Sequence, residues 1–160
     1  MRQQVQDTNI YSYNANWDEL YLVTDEWKTD MEVFNLELQY LRNLIHTNLA
    51  WLLMDADAHQ VQLTLKKIAK TIEQNKTISA QIDEHLLKLE RLVMSTFFIE
   101  NQGLRDENKI IESNFYEFKR NYVILKKEVF FITSTTCSAV PSEKYYSRTK
   151  PTSVFPHSLG

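Results

Sequence analysis

The sequence predicts an all-α fold, a long antiparallel three-helix bundle of coiled-coil-like character with flexible ends. Three observations lead there. Helix breakers are nearly absent: of 160 residues only 2 are Gly and 3 are Pro, and Pro141, Pro151, Pro156 and Gly160 all fall near the C-terminus. Sandwiches and βαβ folds build frequent turns from these residues, so both are disfavoured. Apolar residues recur at alternating spacings of three and four, the signature of a helix with one buried seam. At 19.0 kDa with 12% aromatic residues, the chain is one domain able to bury a core without metals or disulfides.

The first helix is expected over about 17–54, some 38 residues and roughly 57 Å. Its seam runs Trp17, Leu20, Thr24, Trp27, Met31, Phe34, Leu38, Leu41, Ile45, Asn48, Leu52. Asn16 can cap its start, and Glu19 stands where a capping box needs an acid. The segment Asp55-Ala-Asp-Ala-His interrupts the pattern, with Asp55 or Asp57 as a cap for the second helix.

The second helix is expected over 58–102, with a seam at Val61, Leu65, Ile68, Ile72, Asn75, Ser79, Ile82, Leu86, Leu89, Val93 and Thr96. Gly103 comes next as a C-terminal stop. The third, over 104–133, carries Leu104, Asn108, Ile111, Phe115, Phe118, Tyr122, Leu125, Val129 and Ile132. The phase slips by one residue at Gly103, which favours a hairpin there over one continuous helix.

Outside 17–133 the composition changes. Residues 134–160 are rich in Ser, Thr and Pro and are expected to be largely disordered. Residues 1–16 form a flexible N-terminal segment from which Ile10, Tyr11 and Tyr13 could dock on the bundle.

Short connections imply helices running up, down, up. A third helix that turns at Gly103 and ends near 133 reaches back only to about residue 74 of the second, leaving about 43–73 as a two-helix stub. The second helix supports this, since its apolar stripe is narrow from Val61 to Ile72 and broad from Ile78 onward. The first helix does not narrow there. Leu44, Leu49, Trp51, Leu53 and Met54 lie off its seam, and contiguous apolar surface of this kind marks an interface. The occupant is the chain's own C-terminal segment or a longer third helix, a second copy, or another partner.

Charge is segregated as well. Residues 17–41 hold seven acids (Asp18, Glu19, Asp25, Glu26, Asp30, Glu32, Glu37) against Lys28, a net of −6, while the second and third helices are each near +1. In the expected layout that acidic face packs beside Lys88, Arg91, Lys109, Lys119 and Arg120 as a solvated, ion-paired surface. A smaller basic strip, Lys66, Lys67, Lys70 and Lys76, lies on the stub. A net charge of −3 gives no phosphate-neutralising patch, so nucleic acid is not an expected partner.

Catalytic and cofactor chemistry finds little foothold. Di-metal carboxylate bundles need Glu-x-x-His pairs; the residues three before His46, His59, His85 and His157 are Asn43, Ala56, Ile82 and Val154. His46, Asp55, Asp57 and His59 cluster near the first turn without helical ligand spacing, which reads as caps and a polar turn. The polar seam members, Thr24, Asn48, Asn75, Ser79, Thr96 and Asn108, set register more readily than they bind ligand. Cys137 has no neighbouring base. One internal glycine excludes a phosphate loop. Asn75-Lys76-Thr77 matches a glycosylation sequon by chance. A signal peptide and a membrane span are not expected, a single cysteine suits a reducing compartment, and a cytoplasmic location is expected.

The expectation is a non-enzymatic helical interaction or scaffolding module without cofactor. It would associate through Leu44, Leu49, Trp51, Leu53 and Met54 with itself, as a homo-oligomer, or with another helical protein; a membrane surface is disfavoured. The alternative is a small-molecule sensor or carrier, holding an apolar ligand in a cavity lined by Trp17, Trp27, Phe34, Phe115 and Phe118.

Overall fold

A computed structural model describes residues 15–55, 58–97 and 99–137. Among these the chain is all-helical, with four helices and no strand. They are α1 (Trp17–Thr47), α2 (Leu49–Asp55), α3 (Ala58–Val93) and α4 (Gln102–Cys137). None of them is long and apolar enough to cross a membrane.

α1 begins as its sequence dictates. Asn16 Oδ1 accepts from Glu19 N at 2.8 Å and Glu19 Oε2 accepts from Asn16 N at 3.0 Å, a complete capping box that satisfies two orphan donors. The expected helix over 17–54 is instead two helices, divided at Asn48. There the Asn48 amide donates to Leu44 O at 2.8 Å, competing for a carbonyl that the backbone N–H of Asn48 reaches only at 3.3 Å. Such side-chain capture loosens a helix locally.

The second and third helices also differ from expectation. α3 ends at Val93 rather than 102, because Ser95 Oγ folds the chain over on itself, bonding Phe97 O at 3.0 Å and Phe97 N at 3.3 Å. The connection is 94–101, and Asn101 caps α4 by accepting from Leu104 N at 3.0 Å. Gly103 is therefore neither stop nor hairpin but lies in the first turn of α4. α4 runs past 133 to Cys137, so residues 134–137 of the expected tail are helical; residues 138–160, on which the rest of that tail falls, and 1–14, the expected N-terminal segment, lie outside the described residues.

Moving the turn changes the register. A turn at Gly103 would set Asn108 opposite about residue 98. Asn108 in fact meets His85, 3.0 Å away, an offset of about 13 residues or 20 Å. The offset carries the far end of α4 over the expected stub. Glu128 reaches Gln60, Thr64 and Lys67 of α3 at 3.2, 2.9 and 2.8 Å, so the region 43–73 is not a two-helix stub.

The narrowing of the α3 stripe has a different cause from the one expected. α3 faces α4 with Thr64, Thr71, Ile78 and His85, spaced by seven and all buried; two of its members, Thr64 and Thr71, are merely polar. They are the two that fall in the narrow stretch.

α1 and α4 run parallel, since Asp30 lies near Lys119 and Glu37 near Lys126. α3 is antiparallel to both, with Lys28 against Asp83 and Asn75 Nδ2 on Met31 O. The main core extends along the bundle from Trp27 to Leu52 on α1 and α2, Val61 to Leu86 on α3, and Ile111 to Ile132 on α4. A second cluster, Ala15, Trp17, Leu20, Leu89 and Leu104, closes the opposite end.

Gly103 has ordinary helical backbone, and a Cβ there would meet only Asn101 Oδ1 at 3.5 Å. Gly103→Ala is therefore expected to raise stability by about 0.5 kcal/mol through reduced unfolded-state entropy. A urea midpoint lower than wild type would place a turn at Gly103 after all.

Candidate functional site

The expected interface residues sit at the α1–α2–α3 end, and the structure divides them. Leu44 and Leu49 are partly buried against the main core. Trp51, Leu53 and Met54 are 56, 49 and 79% exposed, whereas Leu52 between them is fully buried. α2 is thus anchored by Leu52 while presenting three large apolar side chains outward. The extended C-terminal half of α4 covers part of the apolar surplus by packing against α2.

The five aromatic residues expected to line a cavity do not share one site. Trp27, Phe34, Phe115 and Phe118 meet between α1 and α4 and are joined by Tyr122. Ring centroids lie 5.6 Å apart for Trp27 and Phe115, 5.7 Å for Phe34 and Phe118, and 4.7 Å for Phe34 and Tyr122. Rings at those separations are in contact with one another. Trp17 belongs to the other end, where its Nε1 donates to Ile99 O at 3.0 Å and the Arg105 guanidinium lies over its ring at 4.4 Å. Phe118 also lines an open groove of about 380 Å³ between α3 and α4, with Ile78, Gln74, Gln81, Asn114 and Asn121.

Two buried polar assemblies were not read from the sequence. The first surrounds Arg105, which is 6% exposed. It donates to Ala15 O at 2.8 Å and to Glu100 at 2.7 Å. Together with Trp17, it fastens the start of α1 and the 94–101 connection to the first turn of α4. The Glu100 carboxyl is held below its ordinary range by this hydrogen bond.

The second lies where all three long helices meet. His85 is fully buried, although it stands outside the seam positions that the apolar pattern marks on this helix. Its ring is flanked by Asn108, Glu107 and, beyond Glu107, Lys88; Thr24 of α1 adjoins Asn108. The Thr24 hydroxyl has one proton, which it gives to Leu20 O at 2.7 Å, and so cannot also give it to Asn108 at 3.3 Å. Amide oxygen and nitrogen have the same shape. With the amide NH2 of Asn108 toward both neighbours, it donates to Thr24 Oγ1 and His85 Nε2. The imidazole proton then sits on Nδ1, 3.4 Å from Glu107 Oε1. This assignment relieves the buried Nδ1, which otherwise has no partner.

Burial is the main influence on His85 and pushes its pKa below the ordinary 6.5, against the opposing effect of the Glu107 carboxylate. At Glu128 burial pushes the carboxyl up, but the hydrogen bonds of Lys67, Thr64 and Gln60 outweigh it and hold the group below its ordinary value.

Among the described residues no group of three or more His, Cys, Asp or Glu could hold a metal ion; Asp57 of the first-turn cluster lies outside them. Of the expected inter-helix charge contacts, Lys119 meets Asp30 at 3.9 Å, whereas Lys88 pairs with Glu84 and Glu107. Comparison with protein families, curated proteins and solved structures gives no match.

The lowered pKa of His85 means that the folded state disfavours its proton. Its contribution is full above the ordinary 6.5 and is lost as pH falls below that value, with a slope of at most about 1.4 kcal/mol per pH unit. Urea unfolding at about pH 7.5 and 5.5 is expected to show that loss in wild type and its absence in His85→Gln; equal slopes in both would exclude it. Arg105→Ala is expected to cost about 2–3 kcal/mol, because it leaves the Ala15 carbonyl and Trp17 face without their partner; a loss below about 0.5 kcal/mol would place it among ordinary surface changes.

Proposed function

We propose that this chain is a non-enzymatic helical interaction or scaffolding module, a coiled-coil-like bundle that associates through the apolar end of its first helical hairpin. The observation that carries the reading is α2, a short helix anchored by buried Leu52 while Trp51, Leu53 and Met54 stand exposed. Tryptophan at such a position is the side chain most often dominant in interface energetics, because it brings a large apolar area at low entropic cost. The complementary surface is another helical segment, from a second copy or from a different helical protein. Several buried polar groups support the same reading, since Asn75, His85, Arg105 and Asn108 bond to a different helix or to the segment that leads into one.

The test uses the full chain with a photo-crosslinking side chain in place of Trp51, alongside Trp51→Glu. The expected result is a discrete crosslinked species from position 51, and a loss of at least tenfold in that association in Trp51→Glu with helicity and urea midpoint unchanged. A position-51 probe that crosslinks to no polypeptide, in the producing cells or in purified protein, would overturn the reading.

A further inference from the structure

The exposed large apolar side chains are unevenly distributed around the bundle. On α3 none is exposed between Leu63 and Leu87 among the described residues, where the outward positions are polar or alanine. α1 and α4 differ. On α4, Tyr116, Val123 and Phe130 recur every seven residues, each directly after a buried residue (Phe115, Tyr122, Val129), and Ile124 continues the stripe. On α1, Val33, Leu36 and Tyr40 are exposed, Leu36 to 70%.

These two stripes form one surface. α1 and α4 lie side by side and parallel, with Asp30–Lys119 and Glu37–Lys126 as rungs between them. The rungs set Val33 and Leu36 level with Val123, and Tyr40 level with Phe130. Tyr40 and Phe130 share an open apolar groove of about 420 Å³ with Leu44. Seven-residue spacing on a face that packs against nothing among the described residues is the pattern of a second helical seam.

Charge decides what fits it. The outer side of α1 is acidic, with Asp25, Glu26 and Glu32 exposed, whereas the outer side of α4 carries Arg120 and Lys127, which are in no ion pair among the described residues. One face therefore holds both an acidic apolar stripe and its basic apolar complement. We propose that two copies of this chain pair through the α1–α4 face about a two-fold axis parallel to the helices, α1 of each lying over α4 of the other. In that arrangement parallel helices meet at equal heights, Leu36 inserts between Arg120 and Lys127, and Glu32 approaches Arg120. The other two-fold arrangement, α1 on α1, sets acid against acid and is disfavoured. A face about 21 Å long from Tyr116 to Phe130 and two helices wide falls at or below the lower end of standard dimer interfaces, so the pairing is expected to be concentration-dependent.

The inference does not rest on the apex reading, and the experiment separates them. Sedimentation velocity of the full chain, across about a hundredfold range of concentration, is expected to show a monomer–dimer equilibrium. Glu26→Lys with Glu32→Lys, and separately Arg120→Glu with Lys127→Glu, are each expected to weaken the dimer at least tenfold while leaving helicity intact. Mixing the two variants is expected to restore a one-to-one dimer, because each then offers the complement the other needs. Trp51→Glu is expected to leave it unchanged. A chain that stays monomeric at every concentration, whether the face is bare or covered by its own residues 138–160, overturns the proposal. So does a dimer indifferent to the charge reversals, or one abolished only by Trp51→Glu. Should a charge-reversed variant misfold, Leu36→Gln provides the same reading with no change of charge.

Discussion

The juxtaposition of His85 with Asn108 fixes the relative height of α3 and α4, and much of the remaining structure depends on that height. Heptad seams are degenerate: sliding one helix past another by seven residues returns apolar side chains to apolar side chains. A buried polar layer removes the degeneracy. A seven-residue slip would set the His85 ring against Phe115 or Asn101 and leave Asn108, Glu107 and Thr24 without their present partners, a cost of about 1–3 kcal/mol for each buried group left unsatisfied. With the register held, Glu128 comes to Thr64 and Lys67 at the other end of the same seam. The two polar contacts act as stops at either end of an otherwise slippery apolar interface.

That register also explains which parts of the fold were legible in the sequence. The start of α1 was, because capping by Asn16 and Glu19 is a local interaction written in four consecutive residues. The apolar seams were, because periodicity survives any tertiary arrangement. The end of α3 was not: the apolar pattern continues through Val93 and beyond, while the turn is made by the Ser95 hydroxyl, a far weaker signal than glycine. Gly103 drew the boundary to itself although its backbone is ordinary. His85 was missed for a related reason, since a seven-residue row reading Thr64, Thr71, Ile78, His85 scarcely looks hydrophobic, yet each of the four is buried. The row becomes visible only if small polar residues are counted as packable wherever a third helix must pass. Of the off-seam residues at the end of the first hairpin, Trp51, Leu53 and Met54 are exposed while Leu44 and Leu49 pack on the core; how far α4 covers them depends on the connection length, which periodicity does not encode.

The two seams made by α1 are chemically unlike. Toward α3 it presents Met31, whose backbone carbonyl is close enough to receive the Asn75 amide; this is the most extensive helix pair among the described residues. Toward α4 it presents Trp27 and Phe34, whose rings stack and tilt against Phe115, Phe118 and Tyr122. Large rings hold helices apart where small polar side chains let them approach. The α1–α4 side is accordingly the broader one, filled by those rings and flanked by the Lys119 and Lys126 ion pairs.

This asymmetry bears on where surface chemistry can arise. A helix pair spaced by aromatic rings leaves its flanking positions splayed outward, so residues beside the seam gain exposure without leaving the vicinity of the core. Val33 and Tyr40 on α1, and Val123 and Phe130 on α4, occupy such flanks. On α3, squeezed between close neighbours, the equivalent outward positions carry Lys, Glu and Gln, the composition that keeps a solvated face from associating. The same core that sets the spacing of the helices thus sorts the outer surface into a polar side and an apolar, charge-segregated side. A bundle packed with uniform aliphatic residues on both seams would have no reason to differ around its circumference.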